Sequence, residues 1–521
     1  MLATLPPYDR EGGSLLERAY HALYEREFPD PNERESLENM KDYLFKKDNG
    51  TWGAGDYHIG VIEIEGEPAA MSVCDYFAEP CTGAIEFLVV DSRHRGRALG
   101  KLLLGWTERR LKSDARRHSK RELRAIVAEM NDPFMRSEVR DNLDPFERCL
   151  IWHRWGYRLL DMPYSQPALS GRQKPVRNLV LIAKVFANGD CADTTGPQAE
   201  AKVEAIDAEL VRATVMEYLK LAMRIEHPEQ CREYVETATF LGSRDREQRG
   251  VPGISLGRYI GRCLDDGSEL SIAEVTLGDP DFDGVMALYD EYFPEGETRI
   301  QHHEFLAFVA ATFRQDNETT RARRWRIFGR LAEGRHRAAL LAKSQFHYHL
   351  WAIRFAGNTS VDGVASFFTL RVAGFGGYVA FRKSGVARPG RLRALIARIE
   401  EQIIRDSSIA AGWFIEVDPE RSRLIEHFKQ HGFFMVDAEY VQPTIAMDTE
   451  APVQTKRLRL MYKPLGRVYT KPTLDREVAE SWHAELLEIV YGLSRHSRAF
   501  KVLDSAWCAQ LRSKAPARLL E

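Results

Sequence analysis

The sequence predicts an α/β protein with two domains, each a mixed central sheet flanked by helices and followed by a short helical segment. Three observations carry this expectation. At 521 residues the chain exceeds one ordinary hydrophobic core. Short apolar strands alternate with leucine-rich helical patterns along it. It also repeats itself once, at a spacing of roughly 260–290 residues. Leu23-Tyr24-Glu25-Arg26-Glu27-Phe28-Pro29 returns as Leu288-Tyr289-Asp290-Glu291-Tyr292-Phe293-Pro294, Tyr57-His58-Ile59 as Tyr348-His349-Leu350, and Tyr164-Ser165-Gln166-Pro167 as Tyr440-Val441-Gln442-Pro443. Matches in one order at so long a period indicate two copies of a whole domain, not a solenoid.

The elements follow in the same order in each copy. An N-terminal helix carries the Leu-Tyr…Phe-Pro segment. A hairpin joins Ile59–Ile64 to Ala69–Val73 through Glu65-Gly66-Glu67-Pro68. The apolar strand Ile85–Val90 leads through a glycine turn into a helix bearing Leu99, Leu102, Leu103 and Leu104. A strand at Leu123–Ala128 precedes the helix Pro145–Trp155, which stops at Gly156. The second copy offers Tyr378–Lys383, a helix from Leu392, Trp413–Val417 and a helix ending at Gly432. Helical stretches at about 200–245 and about 474–515 trail the copies, with apolar faces suited to packing. Ala187–Gly196 reads as linker. The resulting division is 1–187, 188–267, 268–467 and 468–521.

Composition narrows the function. Hydrophobic residues at 44% and charged residues at 29% fit a folded, soluble protein. A net charge of −3 gives a general nucleic-acid role no support. The seven cysteines are scattered without a CxxC pair, which argues against a disulfide framework or a zinc site. The N-terminus lacks a secretory pattern, and no apolar run is long enough to span a bilayer, so the expected location is the cytoplasm and no membrane partner is expected.

The segment Val89-Val90-Asp91-Ser92-Arg93-His94-Arg95-Gly96-Arg97-Ala98-Leu99-Gly100 carries the chemistry. A buried strand ends, glycine and alanine clear space near the backbone, and a helix begins. Such a loop aims backbone N–H groups and the positive end of a helix at one point, an arrangement that binds phosphate.

Arg93-x-x-Gly96-x-Ala98 resembles the signature of the GCN5-related N-acetyltransferases (the GNAT superfamily), as does Trp155-Gly156-Tyr157 after the later helix. The resemblance covers about 1–187 well and about 268–467 weakly, and casts the chain as two tandem GNAT-like domains. It implies acetyl-CoA as co-substrate, with no metal. Arg95, Gly96, Arg97, Ala98, Leu99, Gly100 and Lys101 would hold the pyrophosphate. The main chain of Leu88, Val89 and Val90 would pair with the pantetheine arm. Strand alignment puts Gly390 opposite Gly96, with Pro389, Leu392 and Ala394 replacing Arg95, Ala98 and Gly100, so the second copy reads as degenerate. A second register, Arg382-x-x-Gly385-x-Ala387, also satisfies the signature.

Transfer to an amine needs a base, and Glu86, in the strand before the loop, is the first candidate; its counterpart by sequence is Val379. Glu129, repeated as Glu416, is the second. The family often places a tyrosine acid where this chain has Trp152, which leaves Tyr157 and Tyr164 as substitutes. The basic run Arg109–Arg121 reads as a solvated helix face, and His58 and His349 as packing or hydrogen-bonding residues. The expected activity is acyl-CoA-dependent N-acyltransfer, with acetyl passing to a small-molecule amine and the N-terminal copy catalytic. The alternatives are a non-catalytic acyl-CoA sensor or scaffold, a protein or peptide acceptor, or a longer acyl donor. The sequence does not set the oligomeric state.

Overall fold

In the computed structural model the chain divides into two units, Met1–Tyr259 and Ile260–Glu521. The described residues are all except 1, 5–14, 136–141, 187–204, 248, 265–268, 294–301, 313–345, 383–389, 444–454, 468–471, 514–516 and 521.

The first unit holds β1 (Leu2–Thr4), β2 (Asp56–Ile64), β3 (Glu67–Phe77), β4 (Thr82–Val90), β5 (Ala125–Asn131), β6 (Arg158–Leu160), β7 (Leu179–Val185), β8 (Ala205–Ile206) and β9 (Val251–Ser255). They form one mixed sheet in the order β1-β2-β3-β4-β5-β7-β6-β9-β8. β2 and β3 turn at Glu65-Gly66, both at positive φ, as a tight hairpin requires. β4 and β5 run parallel, joined by α3 (Leu99–Asp114), the right-length crossover for a parallel pair.

One face of the sheet is covered by α1 (Leu15–Ala19, continuing through Tyr20–Tyr24 and Glu25–Glu27) and α2 (Leu37–Asp48), whose Leu23, Tyr24, Met40 and Tyr43 pack on Val61, Met71, Val73 and Val89. Further along, α5 (Ala208–Glu217, continuing through Tyr218–Ala222) and α6 (Arg232–Arg246) pack on Phe77, Val127 and Leu181. The other face takes α3 through Leu103 and Trp106. Asp144 caps α4 (Pro145–Arg154) by accepting from the amides of Phe146 and Glu147, and Gly156 beyond it lies at φ +82. The trailing segment does more than pack, because β8 and β9 complete the sheet.

The second unit repeats this plan. β10 (Ser271–Glu274), β11 (His347–Arg354), β12 (Gly363–Thr369), β13 (Gly374–Phe381), β14 (Gly412–Val417), β15 (Phe434–Val436), β17 (Thr455–Pro464), β18 (Thr473–Leu474) and β19 (Ala517–Leu520) order as β10-β11-β12-β13-β14-β17-β15-β19-β18, and β16 (Tyr440–Pro443) pairs with β17. α7 (Asp281–Tyr292), α8 (His302–Thr312), α9 (Arg391–Asp406), α10 (Ser422–Gln430), α11 (Arg476–Glu485, continuing through Leu486–Val490) and α12 (Arg498–Ser513) flank it.

The repeated motifs are the braces of both folds. Tyr24, Phe28 and Phe87 form an aromatic cluster, matched by Tyr289, Phe293 and Tyr378. The Nε2 of His58 bonds Asp114 at 2.7 Å and that of His349 bonds Asp406 at 2.8 Å. Tyr164 donates to Glu129, and Tyr440 to Glu416.

Candidate active site

A β-bulge organises the first unit. Val73 pairs with Phe87 and Cys74 with Ile85, so Glu86 is the extra residue. Parallel pairing with β5 also ends there, at Ile85↔Ala128. Beyond it, Glu86–Val90 have no β-partner on the β5 side among the described residues, and Leu88 and Val90 are half-exposed. An open row of strand amides and carbonyls therefore faces a gap between two splayed strands.

At the end of that row lies the predicted loop. Gly96 (φ +80) and Ala98 (φ +59) are both left-handed, and Ala98 is the N-cap of α3. The first helical bond runs from the Leu102 amide to the Ala98 carbonyl. Alanine has no capping oxygen, so the amides of Leu99, Gly100 and Lys101 point out of the helix with no intrahelical acceptor. A Cβ on Gly96 would meet nothing, so its requirement is conformational. Gly100 is different: its Cβ would lie 3.2 Å from the Trp155 ring. The arginines divide. Arg93 pairs with Asp91, and Arg95 with Glu27 and the Asn142 carbonyl, so both stabilise the turn. Arg97 and Lys101 stay exposed and face solvent.

On the α1–α2 face, Glu86 meets Asp75 of β3. Both Asp75 oxygens and Glu86 Oε1 are buried and find no donor among the described residues. The two carboxyls lie within hydrogen-bonding reach of each other, which two acceptors achieve only by sharing a proton. Burial raises both: Asp75 rises to about 6, and Glu86 rises well above the usual carboxylate range, pushed further by the Asp75 charge. At neutral pH the pair holds one proton between them. Around it stand the Tyr57 hydroxyl and Trp52 Nε1, also buried without partners. Arg224, just past the helical turn Tyr218–Ala222, lays its guanidinium over the rings of Tyr43 and Trp52, 4.4 and 4.3 Å from their centroids. Its Nε and Nη2 are buried and unbonded. Unpaired buried polar atoms are costly; seven gathered in one place (Trp52 Nε1, Tyr57 OH, both Asp75 oxygens, Glu86 Oε1, Arg224 Nε and Nη2) mark a site built for a polar ligand.

Asp75 and Arg224 were not singled out from sequence. A lone acid within the apolar run Met71–Phe77 was the available signal for the first. Nothing local identifies the second.

Glu129 and Tyr164 come together, 2.5 Å apart, and Tyr218 donates to the other Glu129 oxygen at 3.1 Å. Burial raises Glu129 to about 7, against two hydroxyl donors. Trp152 is buried against Trp155 and Tyr157.

The second unit allows a residue-by-residue comparison. Its bulge falls at Gly377, and its parallel pairing ends at Gly376↔Ile415. The counterpart of Glu86 is therefore Gly377, the extra residue of the matching bulge, and not Val379 two positions on. Asp75, paired with Tyr57, corresponds to Phe368, paired with Tyr348. Arg224 (φ +54) corresponds to Gly492 (φ +68), two residues past the helical turn in each unit. The N-cap of α9 is Gly390, accepting from the Ala394 amide. It stands where Ala98 stands and not opposite Gly96, so Leu392 replaces Gly100. Pro389 and the alternative signature at Gly385 and Ala387 lie outside the described residues.

Asp56, His58 and Asp114 converge closely enough to suggest a cation. Lys47 already reaches Asp56 and His58, and Arg117 bonds both aspartates, so protein cations fill that role. Arg116 pairs with Glu122, in keeping with a surface reading of the basic run. No helix among the described residues is long and apolar enough to cross a membrane.

Residues 18–133 match the acetyltransferase (GNAT) family. The match takes in the loop, the bulge and the Asp75–Glu86 pair. Among solved structures, an acetyltransferase of the GNAT family from Bacteroides thetaiotaomicron shares 18% identity over 40% of this chain and 93% of its own, with a TM-score of 0.28. A ribosomal-protein-alanine N-acetyltransferase from Brucella melitensis shares 18% over 36% of this chain and 99% of its own, with a TM-score of 0.24. An aminoglycoside 6'-N-acetyltransferase complexed with coenzyme A shares 12% over 36% and 99%, with a TM-score of 0.26. Among curated proteins, none matches this chain.

Proposed function

We propose that the first unit is an acyl-CoA-dependent N-acyltransferase that passes acetyl from acetyl-CoA to the amine of a small molecule. The bulge at Glu86 carries the reading: one residue opens a strand edge toward the GNAT-type loop and meets a second buried carboxyl on the other side. The main chain of Leu88, Val89 and Val90 takes the pantetheine arm. Gly96 to Lys101 take the pyrophosphate through open amides, with Arg97 and Lys101 adding charge. Arg95 acts by holding the turn.

The pair supplies the base. An incoming ammonium gives a proton to Asp75, which Glu86 steadies by hydrogen bonding; a like charge beside Glu86 is what keeps one proton in the pair. The neutral nitrogen attacks the thioester carbonyl carbon, the C–N bond forms, and the C–S bond breaks. Coenzyme A leaves as thiolate, which the proton released in the reaction neutralises. Glu129, Tyr164 and Tyr218 are saturated by one another, which favours bracing over proton transfer, as does their recurrence around Glu416. The burial of these polar atoms favours a small acceptor over a protein. Phe368, Gly377 and Gly492 leave the second unit without this chemistry, so we assign it a non-catalytic role.

Thiol release with acetyl-CoA and a panel of amines tests this. Asp75→Asn and Glu86→Gln should each lower kcat/KM by about 100-fold or more. Unchanged turnover in both would remove the pair from the mechanism.

A further inference from the structure

The acceptor pocket contains a cation that amine chemistry does not require. Arg224 projects from the trailing helical segment onto the face that holds Asp75 and Glu86. Its guanidinium rests against two adjoining rings, which restricts its rotamers before a ligand binds. The two unbonded nitrogens, Nε and Nη2, are the parallel N–H pair of one guanidinium edge, the edge that grips a carboxylate with two hydrogen bonds. The backbone there is left-handed at φ +54, a conformation that suits glycine, and the second unit has Gly492 at the equivalent place. An arginine held in that backbone, half-buried with two N–H groups short of acceptors, is suited to binding.

Charge selects the ligand. With one proton on the carboxyl pair, one negative carboxylate stands opposite the Arg224 guanidinium, while the nearby Glu35 carboxylate is already taken up by the Tyr43 hydroxyl, the Asn39 amide and the Ser36 N–H. A monoamine would enter as a cation and face Arg224 unpaired. A molecule with both an ammonium and a carboxylate brings no net charge and satisfies both ends.

We infer that the acceptor is an amino-carboxylate of the amino-acid class, its carboxylate held by the Nε–Nη2 edge of Arg224 and its amine presented to Asp75 and Glu86. This rests on the acyltransferase reading above.

The test compares amino acids with their carboxamides as acceptors for the full chain, in wild type and in Arg224→Gln and Arg224→Lys. Wild type should favour the acid over its amide by roughly 30-fold or more in kcat/KM. Arg224→Gln should bring that ratio to within a few-fold, and Arg224→Lys should recover part of it, with the KM for acetyl-CoA and the Tm unchanged. Amides used as well as acids, or an Arg224→Gln variant that slows both equally, would overturn the inference and leave the acyltransferase reading standing. Should no amine release thiol, that reading fails, and calorimetric titration of the amino acids decides the inference separately. Arg224-dependent binding supports it, and its absence overturns it.

Discussion

Two adjoining carboxyls with no other donor among the described residues are a poor structural device and a useful chemical one. Asp75 and Glu86 each sit in surroundings that penalise charge, so their shared proton is the cheapest way to keep both. In the proposed reaction the base is the ionised member, and burial raises Asp75 to about 6. kcat/KM should therefore rise with pH through about 6 and flatten above, and Asp75→Asn should displace or abolish that limb in a pH–rate profile. A profile unaltered by the substitution would separate the limb from the pair. His349 shows the opposite balance. Burial lowers its affinity for a proton, but the Asp406 and Glu274 carboxylates outweigh burial and raise it to about 9. The folded chain then binds this proton more tightly than the unfolded chain. The stability it contributes is full below about pH 6.5 and is lost as pH rises through about 9. Thermal melts across pH 6–9 should fall less steeply in His349→Gln than in wild type.

At the scale of elements, the bulge in β4 and the left-handed N-cap of α3 do what straight elements cannot. The bulge turns one glutamate toward Asp75 and parts two strands. The cap leaves three amides open. Further along the same face, Tyr164 and Tyr218 bind one carboxylate, tying the trailing helices to the sheet and setting the turn that carries Arg224. Tyr218→Phe leaves Glu129 with one donor and should cost about 1–2 kcal/mol in urea unfolding, with a raised acceptor KM and an unchanged KM for acetyl-CoA. Much of this was legible in sequence. The glycine-terminated helix at 145–154, the Glu65-Gly66 turn and the loop all lie where their residues predict them. Strand ends were less so: β3 runs on to Phe77 through Cys74 and Asp75, because hydrogen bonds to both neighbours outweigh a polar interruption.

For the whole molecule, laying the two units side by side separates the shared frame from the residues that differ. What recurs in both units is the aromatic cluster, the His–Asp brace and the Tyr–Glu brace. What differs is Asp75, Glu86 and Arg224 against Phe368, Gly377 and Gly492. Isothermal titration should accordingly find one acetyl-CoA per chain. Gly96→Pro, which cannot adopt φ +80 and removes an amide, should abolish that binding with folding intact by circular dichroism. A stoichiometry of two would assign cofactor binding to the second unit as well.

By itself the sequence determined what local physics dictates: the alternation of strands and helices, the duplicated plan, and a loop whose glycine and alanine spacing suits a phosphate. Each depends on neighbours within a few residues, or on a pattern that can be laid beside its own copy. The tertiary structure alone decided which side chains meet. Asp75 and Glu86 are 11 positions apart, and Arg224 lies 138 beyond Glu86. They share a pocket because a hairpin register, a one-residue bulge and the docking of a distant helix turn bring them to one face, and none of those is written in the residues themselves.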